Sequence, residues 1–232
     1  MSMETKNIMI VGVGGQGSLL ASKLLGRILL QKGYDVKVSE VHGMSQRGGS
    51  VVTYVRFGEK VFSPVIDKGE ADYIVSFEQL EAARWSEYLR QNGKIITNTQ
   101  KINPMPVITG VAAYPDELIV KMKEKSITID EIDALALAQQ AGSSKAVNIV
   151  LMGYLSRSFD FTLDEWLEAI EKSVPAKFLE LNKKAFMLGR EALSDSITER
   201  RDPLCRTTIS PRLKPHHASS CWPGRTSVWL NR

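Results

Sequence analysis

Apolar and polar positions fall into blocks that predict strand and helix in turn. Residues 6–12 form a near-continuous apolar run, with Ile8, Met9, Ile10 and Val11 in succession. Such runs belong to strands buried on both faces of a sheet. The run stops at Gly12-Val13-Gly14-Gly15-Gln16-Gly17. From Ser18 to Lys32, Leu20, Leu24 and Ile28 recur at helical spacing, with Ala21 and Leu25 beside them and Gly33 placed as the cap. Tyr34 to Val41 alternates as a second strand. A loop then leads straight into a third strand, Ser50 to Phe57, without a crossover helix. Gly58-Glu59 reads as a tight turn into a short strand, Lys60 to Ser63. Consecutive strands imply an antiparallel or mixed element inserted in the sheet.

Strand and helix alternate again afterwards. Asp72 to Phe77 predicts a strand, and Glu78 to Gln91 a helix stopped by Asn92-Gly93. Lys94 to Asn98 predicts a strand, and Pro104-Met105-Pro106 a rigid connector into a strand over Val107 to Val111. A short helix follows from Tyr114-Pro115-Asp116 to about Lys123. Ser126 to Ile129 reads as a strand, and Asp133 to Ala141 as a helix ended by Gly142. Three helices close the pattern. Lys145 to Arg157 is apolar on several sides; Thr162-Leu163-Asp164-Glu165 is a capping box; and Pro175 opens a last helix to about Leu193. The expected architecture is α/β, a Rossmann-like mixed sheet flanked by helices. One domain is expected over residues 1–193, with a helical segment over about 145–193.

Composition changes this picture only beyond Ser194, where four prolines break any periodicity. From Pro203 onward lie five basic residues and no acidic ones, leaving 25 basic against 26 acidic residues before it. The formal charge of +4 therefore belongs to the tail. A nucleic-acid-binding reading rests on that tail charge alone, and none is assigned. Cys205 and Cys221 lie in the same stretch, and with His216-His217 they match no common zinc spacing. Residues 194–232 are expected to be a disordered or non-native extension without function. Residues 1–204 hold no cysteine and offer no thiolate for an iron–sulfur cluster. No apolar run approaches the roughly 18–20 residues of a membrane span, and no leader pattern precedes the first strand, so a cytoplasmic protein is expected.

Two loops carry the candidate chemistry. Gly12, Gly14 and Gly17 fit the G-x-G-x-x-G spacing of a dinucleotide turn ahead of a helix N-terminus. Glu40, 23 residues beyond Gly17, stands about where a carboxylate would meet a ribose hydroxyl. That supports one reading, a stand-alone NAD(P) oxidoreductase. The missing second crossover helix and the absence of a further catalytic set oppose it, and a tight turn without ligand is the plainer alternative. The second loop, Glu40-Val41-His42-Gly43-Met44-Ser45-Gln46-Arg47-Gly48-Gly49, sets one cation among glycines and small polar groups. Arg47 offers a fork of donors and Gly48 lets backbone N–H groups converge on an anion. Alternatively Arg47 pairs with Glu40, and His42 is structural. If the first two strands are parallel, both loops leave one edge of the sheet.

At this pair of loops the chain resembles the gamma-type subunits of 2-oxoacid:ferredoxin oxidoreductases, in the form of the beta subunit of the indolepyruvate enzymes. Gly69-Glu70-Ala71-Asp72, Phe77-Glu78, Leu80-Glu81-Ala82 and Asn98-Thr99 extend the likeness over about residues 6–193. The resemblance implies a subunit that binds no cofactor alone. Thiamine diphosphate, magnesium and iron–sulfur clusters are expected in a larger alpha subunit, with coenzyme A as co-substrate and ferredoxin as an indirect partner. The substrates implied are aryl pyruvates. Gly14, Gly15, Gln16, Gly17, Glu40, His42, Ser45, Gln46, Arg47 and Gly48 are the candidate ligand and interface residues, with Arg47 and His42 as catalytic candidates. No metal, nucleic-acid or membrane site is expected in this chain.

Overall fold

The computed structural model describes residues 4–41 and 49–193. The chain begins with β1 (Lys6–Val13), α1 (Ser18–Gln31), β2 (Asp35–Val41) and β3 (Ser50–Gly58). It continues through β4 (Ala71–Ser76), α2 (Gln79–Trp85), β5 (Leu89–Asn98), α3 (Met105–Ile108), α4 (Leu118–Glu124) and β6 (Thr128–Ile132). It ends with α5 (Ala134–Ala141), α6 (Val147–Leu155), α7 (Leu163–Glu171) and α8 (Leu179–Glu191). The six strands form one sheet in the order β2-β3-β1-β4-β5-β6. β1, β4, β5 and β6 are mutually parallel, whereas β3 runs antiparallel to both β1 and β2.

Alternation along β1 divides the core. Ile8 and Ile10 face one side, where they pack with Leu24, Leu25 and Ile28 of α1 and with residues of α5 to α8. Met9 and Val11 face the other, with Val52, Ile74, Ile95, Ala82 of α2 and Ile119 and Met122 of α4. β1 is thus buried on both faces, as its apolar run requires. The capping box on α7 is present: Thr162 Oγ1 accepts from Glu165 N–H at 3.4 Å and Glu165 Oε2 accepts from Thr162 N–H at 2.9 Å.

Four expected elements differ. Lys60 to Ser63 is not a strand. β3 is already paired on both sides, so a following strand has no free edge beside it, and Val61 instead donates its N–H to Asp35 Oδ2 at 2.8 Å. The helix expected to Gln91 stops at Trp85, followed by a single 3-10 turn, and β5 runs through Asn92-Gly93. A Cβ on Gly93 would lie 2.9 Å from Ala71 O, so this Asn-Gly marks an irregular close approach of β5 to β4 rather than a helix stop. Val107 to Val111 is not a strand. Pro104 and Pro106 instead set up the short helix α3, where a missing N–H costs nothing in the first turn. Pro175 precedes a 3-10 turn rather than opening α8.

Candidate functional site

β1 ends in a turn whose glycines are used by the protein itself. The Gln16 side chain folds back, and its Oε1 accepts from Val13 N–H at 2.7 Å. Its Nε2 donates to Phe77 O at 3.2 Å. A Cβ on Gly12 would stand 2.9 Å from Gln16 Oε1 and 3.1 Å from Phe77 Cβ, so only glycine fits beneath this clasp. Gly17 has φ 87° and its carbonyl accepts from Asn148 Nδ2 at 3.0 Å. Gly15 is exposed, at φ 99°. Among the described residues no side chain caps α1, and the N–H groups of its first turn favour negative charge in front of them.

The second loop meets this turn at its described end. Gly14 donates its N–H to Gly49 O at 2.9 Å, just where β3 begins beside β1. β1 and β2 are both antiparallel to β3 and therefore parallel to each other, so both loops leave the same edge of the sheet. His42, Ser45, Gln46, Arg47 and Gly48 lie outside the described residues.

Glu40 stands differently from its dinucleotide reading. β3 lies between β1 and β2, which sets Glu40 two strand spacings, about 9–10 Å, away from the first strand. Its Oε1 accepts from Ser22 Oγ of α1 at 2.8 Å. It borders a groove of about 1090 Å³ between α1 and β2, whose lining includes Lys23, Arg27, Val38 and Lys172.

The model of the pyruvate ferredoxin/flavodoxin oxidoreductase family matches residues 7–192. The chain belongs to this family. A relative from Thermococcus kodakarensis, named indolepyruvate oxidoreductase subunit IorB, is 45% identical over 84% of this chain and 99% of its own length. The subunit of the same name from Archaeoglobus fulgidus is 40% identical over 79% of this chain and 92% of its own. Among solved structures, the pyruvate oxidoreductase subunit PORC from Thermotoga maritima superposes with a TM-score of 0.63 at 23% identity, over 82% of this chain and 97% of that one. A 2-oxoglutarate:ferredoxin oxidoreductase from Magnetococcus marinus gives a TM-score of 0.63 at 16% identity, over 81% of this chain but 30% of that chain. These likenesses carry the fold.

In this oxidoreductase-family chain the turn also rests on residues outside the two loop motifs. Asn148 is a polar position inside the apolar helix α6, and that contrast is the sequence signal that points to it. Glu78 and Glu81 are buried behind the turn. Glu78 caps α2, its Oε2 accepting from Glu81 N–H at 3.0 Å. Glu81 accepts from Ser50 Oγ, from Trp85 Nε1 at 3.3 Å and from Arg84 at 2.6 Å. The first residue of β3 is therefore held by a buried carboxylate, directly after the junction with Gly14. Among the described residues no group of three or more His, Cys, Asp or Glu converges as metal ligands, and no helix is long and apolar enough to cross a membrane.

Burial pushes the Glu81 carboxyl above its usual range, against the opposing pull of the Ser50 hydroxyl and Arg84. The folded state thus holds this proton to higher pH than the unfolded chain does. The resulting contribution is full below the ordinary carboxylate pKa of about 4.3 and is lost as pH rises through the raised value. Urea unfolding of the wild type and Glu81→Gln as a function of pH should show the variant gaining relative stability over that window. Parallel curves would mean that Glu81 is not held above its usual range.

Proposed function

We propose that this chain is the cofactor-free subunit of an indolepyruvate-type 2-oxoacid:ferredoxin oxidoreductase, completing the active site of a larger thiamine diphosphate- and iron–sulfur-bearing subunit. The overall reaction releases carbon dioxide from an aryl pyruvate, passes electrons to ferredoxin and transfers the acyl group to coenzyme A. Family membership and 45% identity along nearly the whole of an indolepyruvate oxidoreductase subunit support the class. The observation that supports the site is the hydrogen bond from Gly14 N–H to Gly49 O, which joins the glycine turn to the residue just ahead of β3 at the same end of the sheet.

The thiamine diphosphate of the larger subunit supplies the decarboxylation chemistry when bound. This chain's contribution is positional. The Gln16 clasp fixes the glycine turn, and the uncapped start of α1 favours an anion in front of it. Arg47 is the residue assigned to an anionic group of the reactants, either the substrate carboxylate or a coenzyme A phosphate, with His42, Ser45 and Gln46 beside it in sequence. Boundary and tail follow the same reading: residues 1–193 are the functional domain, and 194–232 take no part.

The test is assembly followed by turnover. Co-expressed with the larger subunit, the chain should co-purify and yield indolepyruvate-dependent ferredoxin reduction. Arg47→Ala should leave assembly and circular dichroism unchanged and remove about 2–5 kcal/mol of interaction with the anion. Turnover should then fall roughly 30-fold or more. Wild-type kinetics in that variant complex would take Arg47 out of the site.

A further inference from the structure

The connection between β5 and α4 carries a feature that the glycine loops do not explain. From Ile102 to Tyr114 there is no charged residue. Within this stretch Met105 is 64% exposed, Ile108 65% and Val111 83%. Apolar side chains grouped this openly mark contact surfaces rather than ordinary protein exterior.

The lobe is also a defined shape. Ile108 N–H bonds Pro104 O, Thr109 N–H bonds Met105 O, and Val111 and Ala112 both donate to Pro106 O, at 2.9–3.1 Å. Its two ends are held by one group. Glu78 Oε1 accepts from Ile102 N–H at 3.1 Å and from the Tyr114 hydroxyl. Glu78 is 1% exposed and is fixed in turn as the cap of α2. A lobe pinned in this way gives up little conformational freedom on docking.

Its position links it to the glycine turn. β5 is parallel to β4, and β4 to β1, so the lobe leaves the same edge of the sheet as that turn. Gln16 Nε2 and Asn98 Nδ2 both donate to Phe77 O, at 3.2 and 3.3 Å, and Glu78 is the next residue. The turn and the lobe are therefore braced on adjacent residues of one strand end.

We infer that the Ile102–Tyr114 lobe is a pre-shaped apolar knob that docks into an uncharged recess on the larger subunit of the oxidoreductase, with Glu78 as its positioning residue. The inference rests on the subunit role proposed above. The occupant follows from continuity with the surface assigned to the catalytic partner. It follows also from the lack of charge, which gives a polyanion nothing to pair with along these thirteen residues.

The experiment is co-expression of the full chain with a tagged larger subunit, read by co-elution and by titration of the separated subunits. Ile108→Asp with Val111→Asp should weaken association about 100-fold, since a buried charge at an interface centre is left unpaired. The thermal melt of the free chain should not move, because both side chains are exposed. Ile108→Ser with Val111→Ser is the milder pair should the first misfold, with a loss of about tenfold expected. Tyr114→Phe, which frees one end of the lobe and keeps its apolar side chains, should weaken association by a smaller factor.

Wild-type affinity in a folded lobe variant would overturn the inference while leaving the subunit role intact. Failure of the wild-type chain to bind the larger subunit would overturn both. If the substitutions dissolve a dimer of the free chain and leave the complex unchanged, the lobe meets a second copy, and the inference is wrong. Arg47→Ala separates the two surfaces, since it should assemble normally yet turn over slowly.

Discussion

Gly189→Ala is expected to destabilise the chain by about 3 kcal/mol or more, at the upper end of overpacking effects. A Cβ at Gly189 would lie 2.0 Å from Val150 O, and one at Gly153 would lie 2.1 Å from Phe186 O. The atoms in the way are backbone, so no side chain can rotate to make room. α6 and α8 would have to separate, opening the core that both share with Trp166 and α1. Against a total stability of about 5–15 kcal/mol, this is a large fraction. Gly153→Ala should behave alike. The double variant should cost less than the sum, because one separation of the helices relieves both contacts. Urea unfolding measures it, and a loss below about 1 kcal/mol for either single variant would mean that the helices do not cross this closely.

Trp166→Ala should cost about 3–5 kcal/mol, as a large aromatic removed from a closed core. Trp166 is fully buried, with ring centroids of Phe159, Phe161 and Phe186 at 5.9, 6.0 and 5.5 Å. Among the described residues its Nε1 is buried without a hydrogen-bond partner. Trp166→Phe should therefore cost much less than the volume lost would suggest, because it also removes an unsatisfied donor. A Trp166→Phe loss as large as its lost volume predicts would show that the indole N–H is satisfied in solution. Differential scanning calorimetry of the three proteins makes the comparison.

The glycine turn was legible in outline. Its spacing placed a strand, a turn and a helix, all of which the structure contains, and the family resemblance came from the same residues. What spacing could not convey is what the glycines approach. Gly12 lies against Gln16 and Phe77, and Gly17 against Asn148. The Gly12–Phe77 and Gly17–Asn148 contacts join residues 65 and 131 positions apart, beyond the reach of any local pattern. Glu40 shows the complementary case. Its distance from Gly17 matched a ribose-binding carboxylate, yet the insertion of β3 between β1 and β2 moved it to the edge strand and onto Ser22.

Local physics accounts for what could be read from the chain alone. Apolar runs, helical stripes, the Thr162 capping box and Gly142 at a helix end depend on neighbours within a few residues. They determined an α/β chain with a mixed sheet and a helical C-terminal part. The sequence also showed that residues 1–204 contain no cysteine. Tertiary structure decided which strands are neighbours, that Asn92-Gly93 lies within a strand, and that residues 104–108 coil rather than extend. It also decided that one buried carboxylate, Glu78, closes the lobe at both ends. Strand order and buried hydrogen bonds are set by packing between distant segments, where desolvation penalises every unmet polar group, and no short window of sequence contains both partners.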